Sequence, residues 1–327
     1  MKSAWIYFFL FFYGTIVWAQ GPYAPAAGTI GTSAMHKDSS AFVAWASQCQ
    51  LLRGWQDIAN KSLGKTTVGD PSKAIGKAGS AVVSLGDSGV AILQFDGYIY
   101  DGVGPDFAVF ENAFKDRNGG DFLELAFVEV SSDGENYFRF PAHSLTDTTK
   151  AVGSFGSIDP TEINNLAGKY YANYGTPFDL AELKGIPELN IQRITHVKLV
   201  DVVGTLNESF ATKDTANRTI NDPYPTAFPS GGFDLDAIGV IHLSAVGLPS
   251  KNEVVEISMY PNPTNGKLNI PEKWSGSALT IFDGKGRKVY YDNSVDNTLY
   301  LEALAEGIYV VHLFKDGKLG TAKILIK

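Results

Sequence analysis

Between residues 80 and 243, short runs rich in β-branched and aromatic residues alternate with clusters of Gly, Asp and Pro. That rhythm predicts strands joined by tight turns rather than βαβ units. The expected strands are 81–84, 89–95, 107–111, 123–131, 137–140, 195–203 and 237–243. Ser132-Asp133-Gly134-Glu135 separates two of them, and Asp-Gly readily takes the positive backbone angles of a tight turn, so 123–131 is expected to pair antiparallel with 137–140. Helical pieces are predicted only at Ser40–Gln48, behind Asp38 and Ser39 as caps, and at Phe178–Leu183. Neither is long enough to make an α/β domain. The pattern therefore predicts an all-β protein built on a β-sandwich.

The two ends of the chain read differently. Met1-Lys2 is followed by an apolar stretch from Ala4 to Trp18, and Val17-Trp18-Ala19 has the small first and third residues of a signal-peptidase site, so 1–19 is expected to be a signal peptide. The stretch is short for a membrane span and no second one follows, so no transmembrane segment is expected in the mature chain; the missing Cys after Ala19 argues against lipidation. Near the other end, Gly247, Pro249 and Ser250 interrupt the apolar pattern, and 244–252 reads as a linker between a body, 20–243, and a tail, 253–327. A chain of 327 residues fits about two such domains. In the tail, Tyr260-Pro261-Asn262-Pro263 breaks the chain, while Asp283-Gly284-Lys285-Gly286 and Asp316-Gly317 read as hairpin turns.

Composition narrows the partners. A formal charge of -8 disfavours nucleic acid and anionic membranes, which require a positive surface. The single Cys49 has no disulfide partner and is expected to be buried and inert.

Carboxylates are the most suggestive chemistry. Asp101, Asp106, Glu111 and Asn112 fall in one Gly-rich stretch, followed by Asp116, Asp121 and Glu124, and Asp234 and Asp236 lie further on. Asp, Asn and carbonyl oxygens on flexible loops are what calcium requires. Two carboxylates spaced by two on a strand project to one face roughly 7 Å apart, within reach of one ion. Asp106, Glu111, Asn112, Asp234 and Asp236 are thus the candidate Ca2+ ligands, with solvated surface charge as the alternative that spacing leaves open. Ligand-binding candidates are the aromatic, Pro-rich segments carrying Tyr171 and Tyr174, and Tyr224 and Phe228, together with the polar knot of His36 and Asp38. Plugging of the sandwich ends is the other use of such rings. No Gly-x-Ser-x-Gly elbow, phosphate loop or paired-His metal spacing is present, and no catalytic residue is assigned.

Two resemblances follow. Val128-Glu129-Val130-Ser131-Ser132-Asp133-Gly134, Ile194-Thr195-His196-Val197-Lys198-Leu199-Val200-Asp201 and Gly232-Phe233-Asp234-Leu235-Asp236-Ala237-Ile238 resemble the galactose-binding-like, or discoidin-like, jelly roll. Met259-Tyr260-Pro261-Asn262-Pro263-Thr264-Asn265-Gly266-Lys267-Leu268, then 279–289, then Gly307-Ile308-Tyr309-Val310-Val311 resemble the C-terminal sorting domain of the type IX secretion system of Bacteroidetes. The first implies a jelly-roll β-sandwich body. The second implies a small immunoglobulin-like β-sandwich at 253–327, docking to the translocon, and passage through the periplasm to the outer-membrane surface or the medium. Taken with the acidic and aromatic loops, they point to a secreted or cell-surface binding protein, stabilised by calcium through those loops and recognising a glycan or another small or surface ligand. A secreted hydrolase or lyase acting on polysaccharide through loop carboxylates is the alternative.

Overall fold

The structure, a computed structural model of the chain, describes residues 21–79, 81–245, 254–315 and 318–327. The expected signal peptide, most of the linker and the Asp316-Gly317 turn lie outside the described residues. Two compact units divide between Val246 and Gly247. Both are all-β.

The main strands of the first unit are β1 (Gln48–Leu52), β2 (Val90–Ile99), β3 (Phe107–Glu111), β4 (Ala126–Ser131), β5 (Tyr174–Phe178), β6 (Ile194–Asp201) and β7 (Asp234–Val240). One sheet runs Met35–His36, β5, β3, β7, Ala44–Trp45, with Val83–Ser84 also on β7. The other runs Phe138–Arg139, β4, β6, β2, Leu243–Ala245, with Leu166–Ala167 on β4 and β1 on β2. All of these pairs are antiparallel. The expected hairpin is present: Phe138 pairs with Val130 across a turn in which Gly134 has a φ of 84°, a conformation that glycine adopts without a side-chain clash.

The sheets face each other across one core. In β2, Ala91, Leu93, Phe95 and Ile99 point inward at every second position. They meet Phe107, Val109, Ile238 and Val240 of the other sheet, and Phe107 stacks on Phe178 at 5.4 Å. Burying each such side chain contributes about 1.5–3 kcal/mol. Strands β3, β4 and β7 are buried along their whole length because both their faces are covered. Phe110 and Ala237 turn outward onto Phe42 and Trp45, and Phe127 onto a second apolar cluster with Leu125 and Ile163.

Of the two expected helical pieces, Ser40–Gln48 does not form and Phe178–Leu183 shortens to one 3-10 turn. Within Ser40–Gln48 the backbone serves the sheet edge instead: Val43 N–H donates to Val240 O at 2.9 Å and Ala46 N–H to Ile238 O at 3.0 Å. Phe178 ends β5, and Leu180–Leu183 is a single 3-10 turn capped by the Asp179 carboxylate. Cys49 is half-buried on β1, and desolvation pushes its thiol up to about 11, which keeps it inert.

The second unit has the strands Val254–Glu256, β8 (Ser277–Asp283), β9 (Lys288–Val295), β10 (Gly307–Lys315) and β11 (Lys318–Ile326) in one sheet. Its order is Val254–Glu256, β11, β10, β8, β9, and Lys267–Asn269 pairs separately with Thr298–Tyr300. The Asp283 carboxylate accepts the Lys285 and Arg287 N–H groups and shapes the β8–β9 turn as expected. Leu279, Ile281, Val311, Leu313 and Ile324 form its apolar core.

Candidate functional site

Six carboxylates lie in the interior of the body: Asp87, Glu111, Glu124, Asp201, Asp222 and Asp234, each at most 7% exposed. They come from widely separated positions, and topology alone assembles them. Glu111 ends β3 beside β7, which begins with Asp234, while Asp201 ends β6.

Their hydrogen bonds are few. Asp201 accepts the Phe233 N–H at 2.7 Å and the Ser88 N–H at 3.0 Å. Asp87 accepts the Ile58 N–H at 2.7 Å, and Asp222 accepts the Leu125 N–H at 3.2 Å, its Oδ1 being buried with no partner among the described residues. Glu111 accepts the Ala113 N–H at 2.6 Å on Oε2, while its Oε1 is buried with no partner among the described residues. Asp234 accepts from the Ser84 hydroxyl and from Asn112 Nδ2 at 3.2 Å. The Glu124 carboxylate has no hydrogen-bond partner among the described residues.

No Lys, Arg or His forms an ion pair with any of the six among the described residues. Burial is the main cause that raises all of them, and the charges of other members add to it for Glu111, Glu124, Asp201 and Asp222. Glu111 is held well above the ordinary range by burial and then by Asp234, and Glu124 by burial and then by Glu111 and Asp234. Asp201 and Asp222 are likewise raised, while Asp87 and Asp234 move up to about 6. Glu129 shows the contrast. Glu129, 7% exposed, meets Arg139 at 2.7 Å and Lys198 at 2.5 Å.

Above part of this cluster opens a cleft of about 180 Å³. Glu124, Asp234 and Asn112 form its polar side, and Phe114, Phe122, Phe155 and Phe228 its apolar side. Phe114 pairs in register with Phe122 and stacks on it at 4.7 Å; Phe122 lies 6.3 Å from Phe155, which lies 5.8 Å from Phe228. Phe114, Phe155 and Phe228 are 50, 68 and 42% exposed, so a row of rings faces solvent beside unpaired acids.

Of the expected ion ligands, the fold brings Glu111, Asn112 and Asp234 together and leaves Asp106 and Asp236 elsewhere. The ladder between β3 and β7 shifts register between Leu235 and Ala237, so Asp236 is the extra residue of a bulge. The expected alternation fails there. Asp236 instead accepts the Gly79 N–H at 2.6 Å and 2.8 Å through its two oxygens.

Asp106 is fully buried at another place, where it accepts the Gly102 N–H at 2.8 Å, the Leu180 N–H at 2.7 Å and His242 Nδ1–H at 2.6 Å. Asp101, Asp106 and Asp179 are the only described His, Cys, Asp or Glu residues that set three ligand oxygens within 4.8 Å of one another. The three donors to Asp106 already account for that knot.

The expected ligand-binding residues separate into groups. His36 packs edge-on to Tyr174 at 5.0 Å and Tyr174 on Tyr171 at 5.2 Å, while exposed Asp38 pairs with Lys77 at 2.6 Å. Tyr224 donates to Asp57 at 2.7 Å. Only Phe228 of the six lines the cleft. Phe114, Phe122 and Phe155 were not singled out by the sequence pattern, because single Phe residues in loops or two-residue strands carry no period.

No curated protein matches the chain. Among solved structures, PorZ, a surface component of the type-IX secretion system of Porphyromonas gingivalis, is 18% identical over 28% of this chain and 14% of its own, with a TM-score of 0.19. A β-glucuronidase from Ruminococcus gnavus is 11% identical over 86% of this chain and 44% of its own, at a TM-score of 0.21. Similarities this low carry no argument about fold or function. The tail is different: residues 258–327 match the family of secretion system C-terminal sorting domains, which implies interaction with the type IX secretion machinery and export of the chain as a secreted or cell-surface protein.

Proposed function

We propose that the exported body is a calcium-stabilised binding module that takes a glycan or another small or surface ligand in the Phe114–Phe228 cleft. The observation that carries this reading is the set of unpaired buried carboxylates beneath a solvent-facing row of rings. Interior charge without compensation is costly, and among the described residues no side-chain cation pairs with these acids to offset it. A hard divalent cation does so naturally. Glu111, Asn112 and Asp234 are the residues that would hold it, with backbone carbonyls and water completing the six to eight oxygens calcium requires. The resemblance of the body to the discoidin-like jelly roll supports a binding role by analogy alone.

Calorimetric titration of the chelator-treated mature chain with CaCl2 tests the ion. Binding tighter than about 1 mM, the weak end for extracellular modules, is expected. No heat, together with an unchanged melting temperature, would remove calcium from the reading. A glycan array probed with the wild-type chain and with Phe155→Ala tests the ligand, and signals that ignore the substitution would remove the cleft.

One observation favours a second reading. Glu124 and Asp234 face the same cleft, as an acid and a base must in glycoside hydrolysis. Turnover on a polysaccharide panel that Glu124→Gln abolishes while the melting temperature holds would select it.

A further inference from the structure

The chemistry of the cleft narrows its ligand class. All four rings of its apolar side are phenylalanines, which present π-faces and no hydrogen-bonding group. A neutral sugar can stack on such faces, but it leaves the acids beneath uncompensated. An organic cation satisfies both sides at once: its alkyl groups lie against the rings, whose quadrupoles attract positive charge, and its charge meets the carboxylates.

Glu124 is the residue that decides this. It is 6% exposed, it lines the cleft, and its carboxylate has neither a hydrogen bond nor an ion pair among the described residues. A divalent ion held by Glu111, Asn112 and Asp234 leaves Glu124 still facing the cleft. We infer that the cleft formed by Phe114, Phe122, Phe155, Phe228 and Glu124 binds an organic ammonium group, primary or quaternary, carried by the ligand. The inference rests on the reading of this cleft as the body's ligand site. A space of about 180 Å³ accommodates a headgroup of the size of choline rather than a long chain.

The test compares choline with its neutral isostere 3,3-dimethylbutan-1-ol, titrated calorimetrically into the mature chain at fixed calcium. Choline is expected to bind at least tenfold more tightly than the alcohol, with Phe155→Ala and Glu124→Gln each weakening it at least fivefold. Phe155 is 68% exposed, so its truncation leaves the fold intact and keeps the test meaningful even if Glu124→Gln does not fold. Equal binding of choline and the alcohol, or no choline binding, overturns the ammonium inference. In either event a glycan signal that depends on Phe155 would leave the cleft standing as the ligand site, and the two failures are therefore separable.

Discussion

The two units of this chain solve burial in opposite ways. Among the described residues, the buried polar side chains of the second unit are Thr264 and Ser277, and the rest of its core is apolar. The body buries a cluster of six carboxylates that lack ion pairs among the described residues. An apolar core is held by transfer free energy and packing, which do not depend on ions or protons. A core with uncompensated acids is stable only if protons or a cation neutralise them. The unit that serves as a sorting label therefore has a self-sufficient fold, whereas the unit expected to bind has an interior that waits on its surroundings.

The largest test perturbs both apolar cores. Phe107→Ala, at a ring with no exposed surface stacked against Phe178, should cost the body about 3–5 kcal/mol; Ile281→Ala, also fully buried, should cost the second unit about 2–5 kcal/mol. Differential scanning calorimetry should show each substitution moving only its own transition. A shared shift would break the contrast between the units.

Calcium sharpens the contrast next. A ligand present at a hundred times its dissociation constant stabilises the state it binds by about 2.7 kcal/mol, which for a domain of this size raises Tm by roughly 5–10 °C. That shift is expected in the body's transition on adding calcium after chelation, and not in the Ile281-centred unit. An equal shift in both would remove the ion from the body's interior.

Protons supply a third probe. Burial raises the folded-state pKa of Asp87 from 3.8 to about 6, so the folded state holds this proton more tightly than the unfolded state. Its contribution is intact below about pH 4 and is lost as pH rises through about 6, a change of at most about 3 kcal/mol. In calcium-free buffer the body should therefore melt at lower temperature at pH 7 than at pH 4.5. Asp87→Asn keeps an acceptor for the Ile58 N–H and should flatten that part of the profile. An unchanged profile in the variant would show that Asp87 is not a source of the slope.

The apolar scaffold of both units was largely legible in the sequence, because alternation and turn residues act locally. The strands at Phe107–Glu111 and in the tail, and the Asp133-Gly134 hairpin, follow from neighbours within a few positions. The edge pieces Met35–His36 and Ala44–Trp45 are too short to carry a period, and Tyr174–Phe178 contains Pro177, which argues against a strand until its place beside β3 is known. The site was half legible. Glu111, Asn112 and Asp234 could be grouped by residue type, but Asp87, Asp201 and Asp222 join them only through sheet order. Asp236 shows the limit most directly: an i, i+2 rule assumes a regular ladder, and one bulge sends its carboxylate to Gly79.

The smallest expected effect provides the control for the acid cluster. Glu129 is as buried as those acids, yet Arg139 and Lys198 compensate it from within the body. Lys198→Met keeps much of the aliphatic stem and leaves Arg139 in place, so it should cost only about 1 kcal/mol. The cost should also be the same with and without calcium, as read from urea midpoints at constant m-value. A calcium-dependent cost would mean that the ion's influence reaches the β4–β6 ladder and that the unpaired acids are not the separate, ion-requiring set inferred from their lack of partners.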